Sequence, residues 1–469
     1  MREINDPFAG IPDAASVGLE VFDTRPILGR IRDHARARRV GPWAVLGGVL
    51  ARVIAATPPD VVLPPAVGSF GSLNLFVGIV APSGGGKGAS QSAAADFLNF
   101  GSFPAFDIVN IGSGEGIPHA YVRRADGQVE QHTTNVLFDV AEIDTLAALA
   151  KRQGATLLGE LRKVWSGEAL GFQNADAARR LPVAAHTYRA ALVAGIQPAR
   201  AAGLLDDTDG GTPQRFIWLP GTDPDAPTTP PPAPEPLGWT PPPFMTIPTR
   251  GKHRVIPVCP AALAEIDAAR LARLRGEGHE LDAHAGLARL KIAAGVALLE
   301  PRDAVSITEE DWHLAGLVLD RSNVTRAEVR ADLVRAAARA NTARAESRAA
   351  AEIIVNERVD DAARKRVAKW ILARLESGEV GRAELRKGAN SRDRGNVDYA
   401  LDDLVAASAV VADTSGDGTR YRLTDAVDTG HRGGQVDNVS TPQLARNSAE
   451  VRGWTARPPV HPTPEEKTA

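Results

Sequence analysis

The sequence predicts an α/β protein built on a mainly parallel sheet, followed by a helical block and a small C-terminal unit. Short apolar runs at 75–80, 105–111, 136–140, 190–196 and 216–219 alternate with helix-periodic segments. That is the pattern of strands buried on both faces between crossover helices. The first run leads directly into PSGGGKGAS, a Gly-rich turn ahead of a helical stretch. The composition is globular, with 43% hydrophobic and 24% charged residues in 469, and the longest apolar stretch, Trp43 to Ala51, is too short to cross a bilayer.

Taken in order, residues 1–66 form an N-terminal helical segment with one or two amphipathic helices between 26 and 57, stopped by Pro58-Pro59. Residues 67–220 carry the sheet. The span 221–250 is Pro-rich, and twelve of the 34 prolines fall between Pro220 and Pro248, so it reads as a semi-rigid linker. A helical domain follows over 251–355, its last helix opening with Thr308 and Asp311 in capping-box spacing.

Residues 361–425 read as a winged helix-turn-helix. Val367, Trp370, Ile371 and Leu375 mark a first helix, Ala383 to Arg386 a second, and Val397, Leu401 and Leu404 a third, before two strands around a Gly-rich turn. The tail, 427–469, is polar, lacks apolar periodicity and reads as disordered. MREINDPFAG lacks the layout of a signal peptide and Cys259 is the single cysteine, so the expectation is a cytoplasmic protein with no membrane partner. A net charge of −3 rules out a chain-wide polyelectrolyte; any surface for nucleic acid must be local.

The segment 73–98 carries the most chemistry. Glycines let backbone N–H groups converge on a phosphate, a helix N-terminus adds its positive dipole end, and a lysine reaches the terminal phosphates. Ser83, Gly84, Gly85, Gly86, Lys87, Gly88 and Ala89 supply that arrangement, and Lys87 is the single lysine among the first 150 residues, which hold ten arginines. The pattern G-x-x-x-x-G-K-[ST] is met in part: Ala81 replaces the first glycine and Gly88 the hydroxyl residue. ATP with Mg²⁺ is the expected ligand. Ser90 or water then substitutes for the missing hydroxyl, or the metal is held weakly.

Hydrolysis needs a carboxylate for the Mg²⁺ shell and another for the attacking water. Asp139, ending an apolar strand, is the metal candidate. For the base, Glu115 in GSGEG is preferred to Glu142, because an acid between glycines has little to pack against. Gln197, at another strand end, is placed to sense a γ-phosphate or simply to turn the chain. Arg215, just before the last strand, is either an arginine finger, in cis or across a subunit interface, or a surface arginine.

A glycine loop, a second strand followed by Glu, a third ending in Asp and a fourth ending in Gln resemble the RecA-like core of replicative hexameric helicases. PSGGGKGAS, GSGEG, LRKVWSGEALGF, AHTYR and GTPQRF further resemble an uncharacterised P-loop family of bacterial chromosomes, phages and mobile elements that is found beside primase-polymerases. The resemblance covers about 70–325. It implies a DNA-associated ATPase motor or loader, a homo-oligomer such as a hexameric ring, and a primase partner.

Within ELRKVWSGEALGFQ, Arg162, Lys163, Trp165 and Phe172 suit single-stranded DNA if they lie on a loop, by phosphate pairing and base stacking. The competing reading is an amphipathic helix with its Trp turned inward. Arg392 and Arg394 are the duplex-DNA candidates of the winged unit, which holds 12 Lys/Arg against 10 Asp/Glu over 361–423. Asp398, Asp402 and Asp403 on the would-be recognition helix favour a protein partner almost as well. The alternative function is a nucleotide-gated DNA-binding regulator without motor activity. A small-molecule kinase, suggested by the likeness of GKGAS to the GKGT of adenylate kinases, lacks a matching lid and acceptor-site arginines.

Overall fold

A computed structural model describes residues 17–103, 105–143, 156–171, 181–207, 210–246, 249, 251–277, 284–300, 302, 304–416 and 418–424. Asp144, Phe172 and the 427–469 tail lie outside the described residues. The chain divides into two compact units, Met1–Ser347 and Arg348–Ala469.

Five parallel strands centre the first unit: β1 Leu75–Val80, β2 Asp107–Asn110, β3 Asn135–Val140, β4 Arg189–Ile196 and β5 Phe216–Pro220. Their order across the sheet is β5-β1-β4-β3-β2. Alternate residues of β1, β3, β4 and β5 feed two cores, which is why those strands read as unbroken apolar runs, whereas the edge strand β2 is mostly exposed and not buried on both faces as expected. Leu75, Val77, Ile79, Leu137 and Val193 face one core, and Phe76, Phe138, Leu192 and Trp218 the other.

Helices α1 Pro26–Ala37, α2 Pro42–Ala56, α3 Lys87–Phe97, α4 Leu157–Ser166 and α5 Ala285–Leu299 pack around the sheet. α1, α2, α3 and α5 contribute to the first core, and α4 lies over the second with Leu161, Val164 and Trp165. Every residue of α2 is buried, and Arg52 is its one charged residue.

The Pro-rich span does not act as a spacer. Both its flanks belong to the first unit, and three arginines of the N-terminal segment pin it down. Arg36 pairs with Asp223 at 2.8 Å, Arg39 donates to the carbonyls of Pro227 and Thr228 at 2.6 Å, and Arg30 donates to Glu235 O at 2.6 Å. Trp239 is buried, with its indole N–H donated to Leu298 O at 2.9 Å.

Helix α6 runs over Glu309–Leu375, so the expected break between 355 and 361 is absent. From 317 to 375 the sequence holds no glycine or proline to end it. It opens as expected: Thr308 N–H donates to Asp311 Oδ2 at 2.9 Å and Asp311 N–H to Thr308 Oγ1 at 3.2 Å.

In the second unit, the end of α6 is followed by β6 Val380–Gly381, α7 Arg382–Gly388, α8 Val397–Ala406, β7 Val410–Asp413 and β8 Arg420–Leu423. The sheet is antiparallel in the order β6-β8-β7, over a core that includes Val367, Ile371, Leu385, Leu401 and Tyr421. Among the described residues no helix is long and apolar enough to cross a membrane.

Candidate functional site

Because the five strands run the same way, the segments leaving β1, β3 and β4 emerge at one end of the sheet. The crevice outside the carboxyl ends of strands is the usual ligand position in open α/β sheets. Here it holds a cavity of about 510 Å³ walled by Gly84 to Gly88, Gln91, Asp139, Glu142, Gly195 and Arg52. Ser83 and Ala89, expected with the loop, are exposed and stand outside that wall.

The loop turns from β1 into α3 through Gly86, whose φ of 78° is a left-handed conformation that side chains adopt only with strain. Lys87 opens the helix, and its Nζ donates to Ala81 O at 3.2 Å and Pro82 O at 3.0 Å. The ammonium thus rests on the loop's own carbonyls beside the helix N-terminus, an arrangement suited to an anion. Gly195 on β4 makes room for it. A Cβ there would stand 2.2 Å from Ala141 O and 3.2 Å from Lys87 Cδ.

Asp139 shares the strand face of Leu137, so its carboxylate enters the cavity on the α2 and α3 side. Glu142 follows two residues past β3, and its Oε1 accepts a hydrogen bond from Gln197 Nε2 at 2.8 Å. Four sequence candidates, Lys87, Asp139, Glu142 and Gln197, are therefore brought together. Two carboxylates fit Mg²⁺, which usually takes one or two protein carboxylates and completes its shell with water and phosphate. Among the described residues no group of three His, Cys, Asp or Glu could hold a metal unaided. Ser90 cannot replace the absent hydroxyl: it is fully buried and donates its Oγ hydrogen to Gly86 O at 2.9 Å.

Glu115 does not reach the site. It follows the edge strand β2, three positions from β1, a lateral offset of about 14 Å at the usual strand spacing. Its side chain is exposed and absent from the cavity wall, which holds Glu142 instead.

Arg215 is likewise misplaced for a finger in cis. Phe216 pairs with Phe76 at the amino end of the sheet, so the length of β5, about 16 Å, separates Arg215 from the glycine loop. Its guanidinium donates to Gly210 O at 3.1 Å and Gly211 O at 2.8 Å and lies 5.5 Å from the Trp165 ring.

The expected DNA-contacting loop at 160–172 is helical over its first half. Trp165 is 1% exposed, faces the core on α4 and offers no surface to a base. Lys291 Nζ lies 3.4 Å from its ring and donates to Trp165 O at 2.5 Å and Asn74 O at 2.8 Å. Burial, with Arg189 and Arg215 nearby, drives this ammonium well below the usual lysine range. Arg162 and Lys163 stay partly exposed, 3.7 Å from Asp207 and 2.6 Å from Glu160. Trp165→Ala is expected to cost about 3–5 kcal/mol of stability by leaving a large cavity, read as a lower midpoint in chemical unfolding. A midpoint equal to wild type would return Trp165 to the surface.

Compared with known protein families and with curated proteins, the chain matches none.

In the second unit, Arg392 and Arg394 are exposed just ahead of α8. The acids around them are partly neutralised, since Arg366 pairs with Asp393 at 2.8 Å and Arg382 with Asp398 at 2.8 Å.

Sequence reasoning missed Arg52, Gln91 and Gly195 in the cavity wall. One signal was present: Arg52 interrupts an otherwise apolar helix. Burial pulls its pKa down to about 10, against the attraction of Asp139.

Proposed function

We propose that this chain is an ATP-binding and ATP-hydrolysing protein with a RecA-like P-loop core, acting as a DNA-associated motor or loader. The observation that carries the reading is the convergence of Lys87, Asp139 and Glu142 on one cavity beside a glycine loop, with Gln197 hydrogen-bonded to Glu142. Backbone N–H groups of 84–88 and the Lys87 ammonium would hold the β- and γ-phosphates, Glu142 would accept the water's proton, and Gln197 would hold Glu142 in place. Mg²⁺, bound with the nucleotide and held by Asp139, would neutralise charge on the phosphates.

The DNA association rests on the second unit, whose element order and exposed Arg392 and Arg394 suit a winged helix-turn-helix on duplex DNA. A homo-oligomer would be needed for a ring motor, and a primase partner remains an implication of the family resemblance alone. The second reading, a nucleotide-gated DNA-binding regulator, draws support from Gly88 and from the burial of Trp165, which removes the stacking platform for single strands. ATP hydrolysis measured alone, with single-stranded DNA and with duplex DNA separates them. DNA-stimulated turnover supports the motor, and nucleotide-dependent DNA binding without turnover supports the regulator. Absence of ATP binding defeats both.

The missing hydroxyl supplies a gain-of-function test. A Cβ on Gly88 meets nothing within 4 Å. Gly88→Ser is therefore expected to fold normally and to lower the Mg²⁺ concentration needed for nucleotide binding, checked by Mg²⁺ titration at fixed nucleotide. An unchanged midpoint would mean that the metal is held away from position 88.

A further inference from the structure

Helix α2 precedes the sheet in the chain, yet one of its residues enters the cavity. Arg52 is 7% exposed, and among the described residues no carboxylate lies within ion-pair distance of it. A buried guanidinium without an ion-pair partner is expensive, and a methionine or leucine would suit the surrounding apolar helix better. Three of its five N–H groups are engaged: Nη1 donates to Gly48 O at 3.2 Å and Gln91 Oε1 at 2.9 Å, and Nη2 to Gln91 O at 3.1 Å. Nε–H and the second hydrogen on Nη2 have no hydrogen-bond partner among the described residues, and the side chain lines the 510 Å³ cavity. Gln91, which fixes the guanidinium, sits one turn beyond Lys87 on α3.

We propose that Arg52 is an anion ligand of this cavity, donating its two spare N–H groups to phosphate oxygens of the bound nucleotide. The inference rests on the nucleotide reading above. A planar guanidinium with adjacent donors matches phosphate geometry. Lys87 from the loop and Arg52 from α2 then approach the ligand from two separate elements. Asp139, one of two acids in the same wall, favours the charged guanidinium.

The test uses the full chain and a fluorescent N-methylanthraniloyl ATP, titrated into wild type, Lys87→Ala, Arg52→Met and Arg52→Lys, with melting curves on each. Arg52→Met should weaken binding roughly 10- to 100-fold, the value of a charge-assisted hydrogen bond, while melting at or above the wild-type temperature. Arg52→Lys, which keeps charge without the fork, should also bind more weakly than wild type. If Lys87→Ala loses binding and both Arg52 variants bind as wild type, the proposal is overturned and the nucleotide reading stands. If wild type itself binds no nucleotide, that reading falls and this one with it. Should Arg52→Met fail to fold, wild-type affinity in Arg52→Lys overturns the proposal.

Discussion

Lys87→Ala is expected to lower ATP turnover roughly 100- to 1,000-fold, the scale seen when one preorganised charge or donor is removed from a reacting centre. Few other groups can compensate. The loop's N–H groups are partial charges, and the Arg52 guanidinium is already tied to Gly48 and Gln91. The fold should survive, because among the described residues Lys87 Nζ bonds only to the carbonyls of Ala81 and Pro82, which water can satisfy at this half-exposed position. Lys87→Arg should fail as well. The lysine stem runs beside the bare backbone of Gly195, and a planar guanidinium does not reproduce the compact point charge of the ammonium. Turnover and nucleotide binding on both variants, beside melting curves, check the assignment. Full activity in Lys87→Ala would remove the loop from the chemistry.

The readability of this chain depended on how far each feature could be decided locally. β1, β3, β4 and β5 were legible because strands buried on both faces become continuous apolar runs, and the glycine loop because strand, turn and lysine are adjacent in sequence. The choice between Glu115 and Glu142 was not legible. Each follows a strand, and only the order β5-β1-β4-β3-β2 puts one beside the loop and the other at the edge. Arg215 as a finger in cis was not legible for a related reason: a residue ahead of a strand that runs parallel to β1 lies at the sheet end opposite its own chain's loop. Around Trp165, basic and aromatic residues in alternation fit a nucleic-acid loop and an amphipathic helix equally, and packing on Lys291 decided for the helix. Arg52 enters the site across 35 residues of sequence from Lys87, a contact no local pattern encodes.

Glu142→Gln is expected to retain nucleotide binding and to lose about 100- to 10,000-fold in hydrolysis, the range attributed to a positioned general base. The amide keeps the size of the side chain and can still hydrogen-bond Gln197, so the wall of the cavity should be preserved. What it loses is the capacity to take the water's proton. Binding would be carried by the loop and Lys87, which leave a different strand, and removal of a negative charge beside the phosphates should leave affinity equal or higher. The expected signature is thus a fall in kcat without a matching rise in dissociation constant. Glu115→Gln is the internal control: exposed after the edge strand, it should hydrolyse ATP at the wild-type rate. The reverse pattern, with Glu115→Gln inactive and Glu142→Gln normal, would require the 112–116 loop to swing across the carboxyl ends of β3 and β4 when nucleotide binds. Crystals or hydrogen exchange of the Glu142→Gln protein with ATP would then show that loop protected, whereas a static loop would leave Glu115 with no route to the reaction.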